Sequence, residues 1–215
     1  TIVTLIIEVA LFTSVILFVM KIDDNATTTP IRTVIPLQNW HFYKNLTQIS
    51  TDIDKIDFTT ILSDAVEVKV PHTWNGYDGQ DGGNDYARIP SSYQTFISFN
   101  KNKRIFIEFC GSNLKTTVYV NGKKAGYHVG GYAKFRFDIT DYLNDKGDNL
   151  LTVVADNTND LEYYPYTADF TFFGGIYRDV NLIEVNTNSF KMDDFGSRAL
   201  YIIPNAKTGE LEVNC

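Results

Sequence analysis

Through most of this chain apolar residues recur at every second position, in short runs separated by glycine, asparagine, aspartate and proline. Arg104 to Cys110 sets Ile105, Ile107 and Phe109 on one face, Tyr93 to Phe99 alternates likewise, and Lys134 to Ile139 does so with Phe135 and Phe137. A period of two turns one face of a strand to a core. Arg32 to Leu37, the loosely alternating Trp40, Phe42 and Tyr43, Val66 to Val70 before Pro71, Asn149 to Ala155 and Ile176 to Val185 read as further strands. Thr116 to Val120 leads into Asn121-Gly122, a dipeptide suited to a tight hairpin, so Lys123 to His128 is predicted to pair back. Two stretches lack periodicity: Asn45 to Leu62, a polar loop with a helical turn, and Trp74 to Pro90, a long exposed loop. Asp138 to Leu143 predicts one helical turn capped by Thr140. Many short strands without long helical periods predict an all-β, two-sheet sandwich.

The two ends read differently. Thr1 to Met20 is apolar apart from Glu8 and a few hydroxyls, long enough to span a bilayer as a helix or to serve as an export signal. Residues 1–22 are therefore set apart as a targeting or anchor segment, which predicts a periplasmic, secreted or membrane-anchored protein; read instead as a buried strand or helix of the domain, the segment would imply a cytoplasmic one. Residues 23–30, Thr-rich and closed by Pro30, form a linker, and 31–186 the sandwich domain. Beyond it, Ala199 to Ile203 and Glu210 to Val213 predict two strands without partners, so 187–215 is expected to be the start of a second β domain.

Composition narrows the function. A net charge of −7 argues against an electrostatic grip on nucleic acid. The aromatic share of 14% suits strands and offers ring faces to a neutral ligand. Cys110, inside an apolar strand pattern, reads as a small buried hydrophobe. With Cys215 it forms neither a disulfide framework nor a metal spacing. Asp78, Asp81, Asn84 and Asp85 stand among glycines, but not at the alternate positions of a calcium loop.

Three ordered stretches carry more. They are Val70-Pro-His-Thr-Trp-Asn75 with Asp78-Gly-Gln-Asp-Gly-Gly-Asn-Asp-Tyr86; Val118-Tyr-Val-Asn-Gly-Lys123 with Gly130-Gly-Tyr132, Phe135-Arg-Phe-Asp-Ile-Thr140 and Asn149 to Asn157; and Ala168-Asp-Phe-Thr-Phe-Phe-Gly-Gly-Ile-Tyr-Arg-Asp-Val180. Together, over about Ile31 to Val185, they resemble the N-terminal sugar-binding domain of glycoside hydrolase family 2, the family of β-galactosidases, β-glucuronidases and β-mannosidases. The resemblance implies a jelly-roll, galactose-binding-like sandwich followed by an immunoglobulin-like domain begun at 187–215. It further implies a downstream (β/α)8 barrel whose two glutamates hydrolyse β-glycosides with retention. Both catalytic glutamates would lie outside this chain, leaving it a non-catalytic part of a β-galactosidase-like enzyme. A stand-alone carbohydrate-binding module and a non-enzymatic adhesion fragment are the rival readings. A homo-oligomer is compatible with all three.

The resemblance also implies the site. Asp169 matches an aspartate that reaches the barrel's active site, where it holds sugar hydroxyls and, in some members, a monovalent cation; Na+ or Mg2+ would then belong to the complete enzyme. The alternative is a turn aspartate bonding its own backbone. Asn84, Asp85 and Arg88 are candidate sugar contacts at the mouth. Ser91, Ser92 and Gln94, however, stand where the family continues with glycine, tryptophan and arginine around the retained Tyr93. Tyr166, with Tyr163 and Tyr164, is a candidate for stacking on a sugar, against core or rim packing. His72 reads as a hydrogen-bonding loop residue. Arg178 and Asp179 read as a salt bridge or backbone anchor at the domain junction.

Overall fold

A computed structural model describes residues 32–77, 87–163, 172–190, 192, 196–197 and 200–214. The strands are β1 (Arg32–Pro36), β2 (Asn39–Tyr43), β3 (Val66–Lys69), β4 (Pro90–Ile97), β5 (Arg104–Phe109), β6 (Lys115–Val120), β7 (Lys123–Val129), β8 (Phe135–Asp138), β9 (Asn149–Asp156), β10 (Val180–Val185), β11 (Tyr201–Pro204) and β12 (Leu211–Asn214). Helical structure among the described residues is limited to the 3-10 turns Leu46–Gln48, Ile53–Lys55 and Thr140–Tyr142.

Ten strands form two antiparallel sheets, a six-stranded one in the order β3-β2-β4-β9-β6-β7 and a four-stranded one in the order β1-β10-β5-β8. From β4 to β10 the chain crosses between them at every connection except the β6–β7 hairpin. The core lies between their facing sides. Trp40, Phe42, Tyr93, Val118, Leu151 and Val153 come from the larger sheet, and Ile105, Ile107, Phe109, Phe135 and Leu182 from the smaller. The alternation in β5 therefore reads out as expected. The Asn121-Gly122 hairpin does too: its residues sit at φ 51° and 77°, the left-handed pair that such a turn requires.

Each outer face carries a partial cover. The stretch Asn45 to Leu62, expected to be a polar loop, drops Leu46, Ile56 and Phe58 onto Tyr119 and Val154 of the larger sheet. Gln94, fully buried, ties it down: its amide nitrogen Nε2 donates to the Thr60 carbonyl (2.9 Å) and its Oε1 accepts from the Leu62 N–H (2.8 Å). Under the smaller sheet, Met192 packs on Phe106, Ile183 and Val185. Beside them Arg136 Nε donates to Glu108 Oε2 at 2.5 Å, both side chains being buried. Lys134 Nζ reaches Glu108 Oε1 at 3.1 Å, and the Arg136 guanidinium also donates to the carbonyls of Met192 (3.1 Å) and Ser197 (2.6 Å).

Four expectations change. The turn at 140–142 is not capped by the Thr140 side chain; Asp138 Oδ1 accepts from the Thr140 N–H (3.0 Å) and hydroxyl (2.5 Å), while Thr140 Oγ1 accepts from the Ile105 N–H (2.9 Å). β10 begins at Val180 rather than Ile176, because the Ile176 carbonyl accepts from the His72 N–H (2.8 Å) instead of joining the ladder. Trp74 and Asn75, read as part of an exposed loop, are buried. Cys110 lies just past β5 and is only partly covered. The last two strands pair with each other, and their apolar residues stand exposed. Residues 1–31 lie outside the described residues, among which no helix is long and apolar enough to cross a membrane.

Partly buried His128 and buried Glu108 make this sandwich acid-sensitive in separate windows. The His128 ring stacks on Phe135 at 3.9 Å, and burial pulls its pKa below the ordinary 6.5. Its stabilising contribution is complete above that value and is lost as pH falls below it. Burial pushes the Glu108 carboxyl up, but hydrogen bonds from Arg136 and Lys134 outweigh it, and the net pKa lies below the ordinary 4.5. That contribution is lost only at lower pH. Urea titrations across pH should show both steps, and His128→Phe should shrink the first while leaving the second. Arg136→Ala removes the closest cation from Glu108 but leaves it Lys134, and should cost about 1–3 kcal/mol near neutrality, less once the carboxyl is protonated.

Candidate functional site

At one end of the sandwich, where β4, β6 and β9 meet at Pro90, Lys115 and Asp156, the motif residues converge. Asn75, fully buried, is the centre. Its Nδ2 donates to the Phe172 carbonyl (3.0 Å), and its Oδ1 accepts from the Gly174 N–H (2.9 Å) and the Thr73 hydroxyl (2.8 Å). Beside it, Asn157 Oδ1 accepts from the Ile89 N–H (2.9 Å), and its Nδ2 shares the Ala87 carbonyl with Trp74 Nε1, both at 3.1 Å. Asn113 closes the third side: its Nδ2 donates to the Phe173 carbonyl (2.9 Å), and its backbone exchanges hydrogen bonds with Gly175.

The glycine pair is demanded by this packing. A Cβ on Gly174 would lie 2.5 Å from both the Asn157 amide nitrogen and the Trp74 ring. Gly175, at φ +105°, packs against the Tyr93 hydroxyl and the Trp74 ring, which leave no room for one. His72 Nδ1 pairs with the same Tyr93 hydroxyl at 2.8 Å, as expected of a hydrogen-bonding loop residue. Burial lowers the imidazole's pKa and raises the phenol's, so both are neutral partners near pH 7.

The hub therefore fixes the bases of two segments, 78–86 and 164–171, from residues nearly a hundred positions apart. Asn84, Asp85, Tyr166 and Asp169, four of the five expected sugar contacts, belong to those segments and lie outside the described residues, as does Tyr164. Arg88 is described: its guanidinium sits 5.2 Å over the Phe172 ring, beside Asn113, Asn157 and Asp160. It thus spans the bases of both segments while keeping donors free for a polar ligand. Arg178 is a backbone anchor, donating to the carbonyls of Tyr132 (3.1 Å) and Cys110 (3.4 Å), while the Asp179 carbonyl accepts from the Cys110 N–H (2.9 Å). Asn113 and Asn157 went unremarked as functional in the sequence, although an asparagine at a strand end beside a Gly-Gly turn is a recurrent way to satisfy loop backbone. Among the described residues no cluster of three His, Cys, Asp or Glu side chains could hold a metal. What the described hub offers is placement and hydrogen bonding.

Asn75→Ala removes the bond that satisfies the buried Gly174 N–H and one bond to the Phe172 carbonyl, and should cost about 1–3 kcal/mol. Chemical denaturation should register that loss, whereas Tyr77→Ala, at a side chain 85% exposed, should change stability by no more than about 0.5 kcal/mol.

Residues 88–186 match the family described as glycosyl hydrolases family 2, sugar binding domain. The chain is 36% identical over 146 residues to a β-glucuronidase of Bacteroides fragilis, covering 66% of this chain and 21% of that protein. It is 33% identical to a β-galactosidase of Thermoanaerobacter pseudethanolicus, covering 65% and 19%. Among solved structures, a β-glucuronidase of Bacteroides uniformis superposes with a TM-score of 0.67 at 33% identity, over 80% of this chain and 20% of that one. A β-glucuronidase of Parabacteroides merdae gives 0.67 at 28% identity, over 84% and 25%. The chain thus spans about a fifth of the length of the curated relatives it matches.

Proposed function

Because the chain carries the sugar binding domain of glycosyl hydrolases family 2, we propose that it is the front, non-catalytic portion of an exported, retaining β-glycosidase acting on terminal glucuronides or galactosides. The observation that carries this reading is the hub. Asn75 bonds Phe172 and Gly174, Trp74 bonds the Ala87 carbonyl and packs against both glycines, and together they fix the described residues next to the two segments that bear the expected sugar contacts. A rigid base under variable loops is the arrangement that places side chains on a ligand.

On this reading the domain is a jelly-roll, in keeping with strands that cross repeatedly between the sheets. The β11–β12 hairpin opens an immunoglobulin-like domain, and the two catalytic glutamates come from a barrel outside these 215 residues. Asp169 reaches that barrel and receives sugar hydroxyls, each carboxylate oxygen being an acceptor. It would also be this chain's ligand for a Na+ or Mg2+ ion in the complete enzyme.

The complete enzyme provides the test. Losing a charge-assisted hydrogen bond in a desolvated site costs about 1.5–3 kcal/mol, so Asp169→Asn should lower kcat/KM roughly tenfold to a hundredfold, with Tm nearly unchanged. Chromogenic β-glucuronide and β-galactoside, each assayed with and without sodium or magnesium, would assign the sugar and the cation. Unchanged kinetics in every condition would leave the domain purely architectural, and absence of turnover by the complete gene product would favour a binding module.

A further inference from the structure

On the outer face of the larger sheet, the cover formed by residues 45–62 stops short of β7. The 3-10 turn Ile53–Lys55 forms one wall of a cleft of about 410 Å3, floored by Thr117 and Val154 and extending across β9, β6 and β7. That volume lies within the range of about 300–1,000 Å3 typical of small-molecule sites.

Its chemistry is mixed, and its lysines are paired. Lys115 Nζ lies 3.1 Å from Asp156 Oδ2 and 3.7 Å from Asp160. At the other end Lys124 Nζ lies 3.6 Å from Asp54 Oδ1, which also accepts from the Tyr119 hydroxyl at 2.7 Å. Each lysine already faces a carboxylate and Asp160 adds a further acid, so the cleft disfavours a polyanion. The pairs nonetheless retain hydrogen-bonding capacity, since an ammonium has three donors and a carboxylate about four acceptor sites. Between them Tyr127 exposes half of its surface, with Lys124 Nζ 5.8 Å from its ring centroid. An exposed ring flanked by both donors and acceptors matches a ligand whose hydroxyls do both jobs and whose C–H face is apolar.

We propose that this cleft is a second carbohydrate-binding site, taking internal units of a neutral oligosaccharide, with Tyr127 as the stacking platform. It rests on the sugar-handling function proposed above but uses a different face of the domain. The two places adjoin: Lys115 Nζ donates to Thr158 Oγ1 (3.2 Å), and Thr158 and Asp160 border the gap beside Arg88 and Phe172. A glycan whose end lies among the loops could continue across the sheet through residues 158–160.

Isothermal titration of the 215-residue chain with galactotetraose and with cellotetraose tests the proposal. Saturable binding to at least one is expected, little affected by added salt. Tyr127→Ala should weaken it by about tenfold or more, as loss of a ring contact does, and Tyr127→Phe should retain it. Thr117→Arg, which fills the floor from the outer face, should abolish it independently of how Tyr127→Ala folds. Asp169→Asn should weaken it far less than Tyr127→Ala does. Failure to bind either glycan, affinity unchanged by Tyr127→Ala, or binding that collapses with salt would each overturn the proposal. Loss on Asp169→Asn but not on Tyr127→Ala would place the glycan at the loops, overturning the cleft while sparing the proposed function.

Discussion

The primary amide of Asn75 satisfies a carbonyl and an N–H that lie 97 and 99 residues further along the chain. A buried amide can do this only if the backbone it meets comes very close, and that closeness dictates its neighbours. Gly174 and Gly175 must lack side chains, Trp74 must lie flat against them, and Asn157 must turn its own amide to the Ala87 carbonyl. Each group left unbonded there would carry a desolvation penalty. The motif residues are thus interdependent parts of one polar network with little tolerance for partial satisfaction. The strands beneath supply a rigid frame, and the hub ties to it the described residues on either side of 78–86 and 164–171.

Much of the frame was legible because β-strands advertise themselves by alternation. Ile105, Ile107 and Phe109 named their face, and Asn121-Gly122 named its turn. The cover over the larger sheet was not legible, because Leu46, Ile56 and Phe58 follow no period; irregular chain buries side chains through tertiary contact alone. The same limit hid Trp74 and Asn75 inside an apparently exposed loop. At Thr140 the local pattern favoured a threonine cap, but Asp138 supplies the acceptor, and the threonine hydroxyl serves the β5 backbone instead. Of the expected sugar contacts, Arg88 stands at the hub. For the other four, the residue types and motif positions carry the argument.

Ion pairs follow burial rather than composition. A net charge of −7 suggests a surface of loose carboxylates, yet Glu108 is buried with Arg136 while the outer-face pairs of Lys115 and Lys124 remain partly open. The buried pair joins the smaller sheet to the segment carrying Met192 and Ser197, because the guanidinium spends its remaining donors on those two carbonyls. Such a pair contributes less to net stability than to specificity of docking, since desolvation consumes most of the Coulombic gain. Its position under the smaller sheet orients the chain as it leaves β10.

The larger sheet shows the complementary use of charge. The cover packs Leu46, Ile56 and Phe58 on the Tyr119 and Val154 side of the sheet. Beyond its edge, the strands present paired lysines and aspartates around a half-exposed tyrosine. Ligands without charge are held through many modest hydrogen bonds and ring contacts, and such recognition suffers when a nearby unpaired ion competes for water or attracts other solutes. Pairing each lysine to an aspartate removes that competition while retaining donors and acceptors. A face organised this way suits binding and orientation of an uncharged ligand.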